Sequence, residues 1–299
     1  MIVAANIGVA DEVDLIDRQI LHLQAIGVDR IVVTDTGSTD GTLDILQDRA
    51  GRGDIVLLRT GSSDEEALGF ANRMLERTLR ECRPDWILFG DADEFHVPRS
   101  GRIHDVLASA TAGLLQVERY NVPVVAAGPL WPDDLRPARH GELDLIVRQI
   151  PDFDRYLPAH PETPWILGRI LPKVVARAAA VGTGINTGAH AAASTQGRPQ
   201  DSATPTDLLI AHLPVSSRER FMRKLDNIRR LAQRIGDRYG PGTAWHWRRW
   251  LRLADEGRAD EEYERLVFDS LRLAALRASG TVMSAAAWFA DPVVAEPPQ

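Results

Sequence analysis

The feature that most constrains this chain is an alternation of short apolar runs with helical patterns, repeated without interruption up to Gly90. Ile2 to Ala5 is continuously apolar, as expected of a strand covered on both faces. Val13, Ile16, Ile20, Leu23 and Ile26 then recur at helical spacing, and Gly27 ends that helix. Arg30 to Asp35 is a second, β-branched run, followed by the turn-forming Thr36-Gly37-Ser38-Thr39-Asp40-Gly41 and a helix opening at Thr42 to Asp48. Ile55 to Leu58 reads as a third strand. Asp64 to Cys82 reads as a third helix, with Ser63 and Glu66 at capping-box spacing. Trp86 to Phe89 is a fourth strand, entered through Pro84 and leading into Gly90-Asp91-Ala92-Asp93-Glu94-Phe95. This rhythm predicts an α/β fold with a mostly parallel sheet and right-handed crossovers. Ligands of such sheets bind outside the carboxyl ends of the strands, where both acidic loops fall.

The remainder is less regular. Residues 113–125 read as a strand or hairpin, and residues 126–168, rich in proline and polar groups, as a long irregular segment. Such loops often cover substrates. Ile170 to Val175 is a late strand carrying Lys173. From Ser216 the pattern is helical. Phe221, Leu225, Ile228, Leu231 and Ile235 form an apolar stripe among Arg220, Arg223, Lys224, Arg229, Arg230 and Arg234. Further helices are expected over Trp245 to Glu256 and Asp260 to Ala278, with a loose tail over 291–299. The expected organisation is one α/β unit over 1–215 and a helical extension over 216–299. That extension offers a face for a homodimer or a cover for an acceptor site.

A formal net charge of −7 argues against a general nucleic-acid binder. Cys82 is the only cysteine, which excludes an intrachain disulfide and a cysteine-rich zinc site. No apolar run reaches the length of about 18 to 20 residues that a membrane span requires. Met1 to Asn6 lacks a basic region, so no secretory signal is expected and the cytoplasm is the expected compartment.

Asp91 and Asp93 lie one residue apart, so in an extended segment they point to the same side. Two converging carboxylates repel unless a positive charge lies between them, and Mg²⁺ or Mn²⁺ suits that place while leaving positions open for phosphate oxygens. In the Asp35 to Thr42 loop, Ser38 or Asp40 is placed to cap the next helix. Asp35 or Asp40 is also suited to accept hydrogen bonds from a base or a ribose.

Taken in order, these residues resemble the family 2-like glycosyltransferases of GT-A fold. The likeness rests on Asn6, on Leu21 to Asp29 ending in Gly27-Val28-Asp29, on Arg30 to Asp35, on Gly37 to Thr42, and on Asp85-Trp86-Ile87 through Asp91-Ala92-Asp93-Glu94-Phe95. It covers about the first hundred residues. It implies a nucleotide-diphosphate sugar donor, a divalent Mn²⁺ or Mg²⁺ ion, an acceptor hydroxyl on a saccharide or small molecule, and inversion by single displacement. Asp35, Ser38 and Asp40 would then lie near the base and ribose, Asp91 near ribose or metal, and Asp93 at the metal. Where related chains carry Asn-Glu after the first strand, Asn6 is here followed by Ile7-Gly8-Val9-Ala10, and Asp11 and Glu12 are displaced. Weaker likenesses make His190 and His212 candidate metal ligands, and make Lys173, Arg218, Arg220, Arg223 and Lys224 candidates for the donor's phosphates. Inversion needs a base near the acceptor hydroxyl. The irregular segment offers Asp133, Asp134, Glu142, Asp144, Asp152, Asp154 and Glu162, of which Glu162 is preferred because Pro161 and Pro164 restrain it. Trp131 and Trp165 are candidates for stacking on a sugar or for the core.

Two other classes compete. A nucleotidyltransferase would carry a basic, glycine-rich loop after the first strand, and Asn6 to Ala10 lacks the basic residues. A non-catalytic metal- or glycan-binding module would keep the acidic loops without turnover.

Overall fold

The computed structural model describes residues 1–60, 64–132, 135–181, 184–186, 188–192, 201–235 and 245–293. Ser63 of the expected capping box, and Asp133 and Asp134, lie outside them. The first half alternates as expected: β1 (Val3–Val9), α1 (Ile16–Ala25), β2 (Arg30–Asp35), α2 (Thr42–Gly51), β3 (Val56–Arg59), α3 (Asp64–Cys82) and β4 (Trp86–Asp91). There follow β5 (Glu94–Pro98), α4 (Ile103–Ser109), β6 (Leu114–Val117), β7 (Arg119–Asn121), β8 (Val124–Val125) and β9 (Gly128–Pro129). The segment read as irregular contains β10 (Asp144–Ile146), α5 (Phe153–Tyr156) and 3₁₀ turns at Pro137–Glu142, Leu157–Ala159 and Trp165–Leu167. The late part comprises β11 (Lys173–Arg177), β12 (Ser202–Ala203), β13 (Leu208–His212), α6 (Arg218–Ile235), α7 (Trp245–Asp255), α8 (Ala259–Leu266), β14 (Val267–Phe268), α9 (Ser270–Ala278), β15 (Val282–Ser284) and α10 (Ala285–Ala290).

The main sheet has seven strands in the order β12-β6-β11-β4-β1-β2-β3. Strands β3, β2, β1 and β4 are mutually parallel, and β11 is antiparallel to both β4 and β6. This is a mixed, mostly parallel α/β sheet with helices on both faces. The chain moves outward from β1 to β3 and then returns to the other side of β1, so the strand order reverses between β1 and β4. Ligand crevices of open α/β sheets form at such a point. One face packs Ile7, Ile16, Ile20, Leu23, Val33 and Trp86 into a dry core, and the other covers Leu75, Ile87, Phe89 and Val174.

Strand β1 is longer than its apolar run suggests. It continues through Ile7, Gly8 and Val9 because ladders on both sides hold it: Ile7 stands opposite Val33 and Gly90, and Val9 opposite Asp35. Asn6 is therefore mid-strand and fully buried, not in a loop.

The C-terminal stretch is tied into the first unit. A second sheet, β5-β13-β7, runs beside the main one. Strand β14 pairs with β8, and β15 pairs with β10. The single helix expected over Asp260 to Ala278 is split, because Val267 and Phe268 join the β8 ladder and Asp269 caps α9 by accepting the Arg272 N–H at 2.7 Å. Phe153, Trp165 and Ile166 of the irregular segment pack with Phe221, Trp250 and Phe268 into one cluster.

Candidate active site

Strand register brings the acidic loops to one edge. Gly8 stands opposite both Thr34 and Asp91, so Asp35 and Asp91 end the two strands that flank β1. At the usual strand spacing they lie roughly 10 Å apart.

The Asp35 to Asp40 loop is stapled to the loop after β1 mainly by backbone N–H and hydroxyl donors, while Arg230 pairs with Asp11 and Arg223 Nε lies 3.7 Å from Asp40 Oδ2. Asp35, 1% exposed, accepts the Ser38 N–H through Oδ1 at 3.1 Å. Ser38 Oγ accepts the Asp11 N–H at 3.0 Å, and Asp11 Oδ1 accepts the Thr39 N–H at 2.5 Å. Thr42 Oγ1 accepts the Glu12 N–H at 2.8 Å. Asp40 accepts the Thr42 N–H at 3.0 Å, the Thr42 hydroxyl at 2.6 Å and the Val13 N–H at 3.2 Å. Partial burial pushes the Asp40 carboxyl up, but the two Thr42 donors and the Val13 amide outweigh it and hold the group below its ordinary value. Asp40 thus opens α2, with Gly41 at φ +97° supplying the left-handed entry.

The Asp91 to Glu94 loop is held by charge instead. Asp91 is half exposed and accepts from Lys173 Nζ at 2.8 Å. Lys173, on β11, is buried and also reaches Glu94 Oε2 at 2.9 Å. Glu94 is fully buried, is paired on its other oxygen with Arg119, and accepts the Asp91 N–H at 2.9 Å. Asp93 is buried too: its Oδ2 accepts from Lys224 Nζ at 2.6 Å and from Arg220 Nη2 at 3.0 Å, both on α6. Arg220 is itself clasped by Glu12 and lies 3.5 Å from Asp14. Burial alone would raise Asp93 and Glu94. Lys224 and Arg220 overcome it at Asp93, and Lys173 and Arg119 at Glu94, so both carboxyls sit far below the ordinary range. Burial pushes His212 down to about 3, against the pull of Asp93, so it is uncharged at neutral pH. Glu12 goes the other way, raised to about 7 by burial despite Arg220.

Among the described residues, Asp93, Glu94 and His212 offer ligand atoms within 4.8 Å of one another. Carboxylate oxygens and a neutral imidazole suit a divalent cation of the Mn²⁺ or Mg²⁺ kind. His212 Nε2 lies 3.8 Å from Asp93 Oδ1, with Asp91 at the rim.

The remaining sequence candidates are placed as follows. Asn6 faces α3, where its Oδ1 accepts the Thr78 hydroxyl at 2.6 Å. His190 Nδ1 donates to the Pro172 carbonyl at 2.7 Å, and His190 is not in the Asp93 cluster. Lys224 is at Asp93, whereas Arg218 points outward to Asp260 at 2.9 Å. Glu162 is 77% exposed and pairs with Arg265 on α8. Asp152 is exposed at the start of α5. The structure brings neither of these two to the acidic loops. Trp165 stacks on His246 and meets Trp250 edge-on, and Trp131 meets Phe95 edge-on. Glu12, Glu94, Arg119 and Asn121 were given no role on sequence grounds. Glu94 could have been found from its place in the motif, but Arg119 and Asn121 carry no local signal. A separate cavity of about 450 Å³ lies between β3 and α3, walled by Arg59, Arg73, Arg77 and Arg80, and holds none of these carboxylates.

Residues 12–123, which contain both acidic loops, match the family model described as Glycosyl transferase family 2. The likeness to family 2 glycosyltransferases holds for that segment, which is less than half of the chain. Among solved structures it is similar to TarS of S. aureus, at 13% identity and a TM-score of 0.40 over 86% of this chain and 43% of that one. It thus spans less than half of that protein. It is similar to TarS 1-349 in complex with UDP-GlcNAc, at 12% identity and TM-score 0.40, over 86% of this chain and 72% of that one. It is also similar to glucosyl-3-phosphoglycerate synthase of Mycobacterium tuberculosis in complex with Mn²⁺, UDP and glucosyl-3-phosphoglycerate, at 16% identity and TM-score 0.34, over 90% and 81%. No curated protein sequence matches the chain significantly.

Proposed function

We propose that this chain transfers a sugar from a nucleotide-diphosphate sugar to an acceptor hydroxyl, with a divalent cation and inversion at the sugar carbon. The observation that carries this reading is that Asp35 and Asp91 end the two strands flanking β1, one residue apart in register, beside the β1–β4 reversal, with Asp93 and His212 converging just beyond. Asp35 has one carboxylate oxygen on Ser38 and, among the described residues, no donor on the other, which suits it to a base N–H or a ribose hydroxyl. Asp93 and His212, with Asp91 at the rim, would hold the cation, which when bound offsets the charge of the departing diphosphate. Lys224, 23% exposed, places an ammonium where that charge has to be met, and buried Arg220 holds Asp93 in position. The neutral imidazole of His212 leaves its lone pair available.

Calorimetric titration with UDP-, GDP-, dTDP- and CDP-sugars, with and without Mn²⁺, tests the reading alongside Asp93→Ala. Manganese-dependent binding of one nucleotide class, lost in the variant, is the expected result. Binding that is equal without metal, or equal in the variant, rejects the metal site, and no binding to any donor rejects the transfer itself.

A further inference from the structure

Asn121 and His212 are cross-strand neighbours. In the β5-β13-β7 sheet, His212 at the end of β13 stands opposite Glu94 on one side and Asn121 on the other. The Val122 N–H donates to the His212 carbonyl at 2.9 Å, which locks that register. Asn121 is fully buried. One end of its amide lies 2.8 Å from the Ile166 carbonyl, and the other 2.7 Å from His212 Nδ1.

Hydrogen-bond polarity settles the rest. A carbonyl only accepts, so the end facing Ile166 is the NH₂ group and the end facing His212 is the oxygen. An amide oxygen only accepts, so Nδ1 of His212 carries a hydrogen. In an uncharged imidazole, Nε2 is then bare. That bare nitrogen faces Asp93 Oδ1 across 3.8 Å. Two acceptors at this separation have no hydrogen to share, but two bonds of about 2.1 Å to one hard cation can span up to about 4.2 Å.

On the metal reading given above, we infer that Asn121 is a positioning residue: anchored by the Ile166 carbonyl, it holds His212 in the Nδ1–H tautomer and so presents Nε2, beside Asp93, as a ligand atom. Ile166 sits in the 3₁₀ turn Trp165–Leu167, whose Trp165 packs on Trp250 of α7. The segment read as irregular therefore acts on the site through one carbonyl. Metal-bound histidines elsewhere are commonly oriented by an acceptor on the far ring nitrogen, and loss of that acceptor lowers metal affinity about 10- to 100-fold.

The test is nitrogen-15 NMR of labelled histidine in the metal-free protein, for wild type, Asn121→Leu and Asn121→Asp, with calorimetric Mn²⁺ binding in the presence of nucleoside diphosphate. In wild type His212 is expected as the Nδ1–H tautomer. Asn121→Leu, which lacks the acceptor, is expected to show the Nε2–H form or a mixture, with Mn²⁺ affinity down about 10- to 100-fold. Asn121→Asp keeps the acceptor for Nδ1 but loses the donor to the Ile166 carbonyl, and is expected to keep the Nδ1–H tautomer while recovering only part of the affinity. A wild-type His212 protonated on Nε2, or an unchanged tautomer in Asn121→Leu, overturns the inference. If wild type binds no Mn²⁺, the metal reading falls, while the wild-type tautomer alone still decides whether Asn121 orients His212. That measurement stands even if Asn121→Leu does not fold.

Discussion

The two acidic loops end neighbouring strands of one sheet, yet they are stabilised in different ways. Around Asp35 and Asp40, carboxylates accept mainly from backbone N–H groups and hydroxyls supplied within about thirty residues of sequence, by Ser38, Thr39, Thr42 and Val13, with Arg223 and Arg230 of α6 only at the edge, near Asp40 and Asp11. Around Asp91, Asp93 and Glu94, the partners are the cations Lys173, Arg119, Lys224 and Arg220, up to 131 residues away. Hydrogen bonds to backbone donors are part of the turn itself and cannot leave without unmaking it. An ammonium at the end of a flexible side chain can exchange a carboxylate for a phosphate with little rearrangement. The first loop is thus built as a fixed wall, and the second as an exchangeable charge site.

The sharpest way to break this contrast is at Asp93. Asp93→Ala is expected to lower transfer by about 10³-fold. It also removes one of the partners of buried Arg220, at a cost of about 3 kcal/mol in denaturant unfolding. Retained turnover would show that the charged loop is structural only.

Acid titration separates the two loops next. Behind the charged loop, burial holds His22 at about 3, His96 at about 4 and His140 at about 4. These folded-state values lie below the unfolded one, so the unfolded chain binds more protons as the pH falls. Stability is then lost as pH drops below about 6.5, by about 2 kcal/mol per such histidine at pH 5. Melting temperature should fall over this window, with β5 amides losing hydrogen-exchange protection before those of β2. A flat profile from pH 7 to 5 would contradict it.

Lys173→Met leaves Glu94 buried with Arg119 as its remaining cation. It is expected to lower stability by about 2 to 3 kcal/mol and to raise the pH at which Glu94 protonates. Asp40→Ala should be milder. Loss of the α2 cap costs about 1 kcal/mol, and donor binding should weaken far less than in Asp93→Ala. If Asp40→Ala abolished binding without loss of stability, the fixed-wall description would be wrong. Smallest of all, Glu162→Gln and Arg218→Ala are expected to leave kcat/KM within about twofold of wild type, because both side chains are exposed and their partners lie on α8.

Several elements were legible from residue pattern. β2, α1 and β4 follow directly from β-branched runs and helical spacing, and the capping chemistry of Asp40 follows from residue type. Others were not. The Ile2 to Ala5 run conceals a strand reaching Val9, because sheet ladders on both sides outweigh the polarity of Asn6. The helix expected over Asp260 to Ala278 breaks at Val267 and Phe268 because β8 offers a ladder that no local periodicity reveals. Glu162 looked restrained between two prolines, but rigidity says nothing of direction, and the side chain turns to Arg265.

The sequence by itself determined which loops meet at one edge of the sheet, because an unbroken β-α alternation with right-handed crossovers leaves the carboxyl ends of parallel strands nowhere else to go. Only the tertiary structure decided what each carboxylate meets there. Lys173, His212, Arg220 and Lys224 reach the Asp91 to Glu94 loop through packing of β11, β13 and α6, and contacts across such separations leave no trace in local spacing.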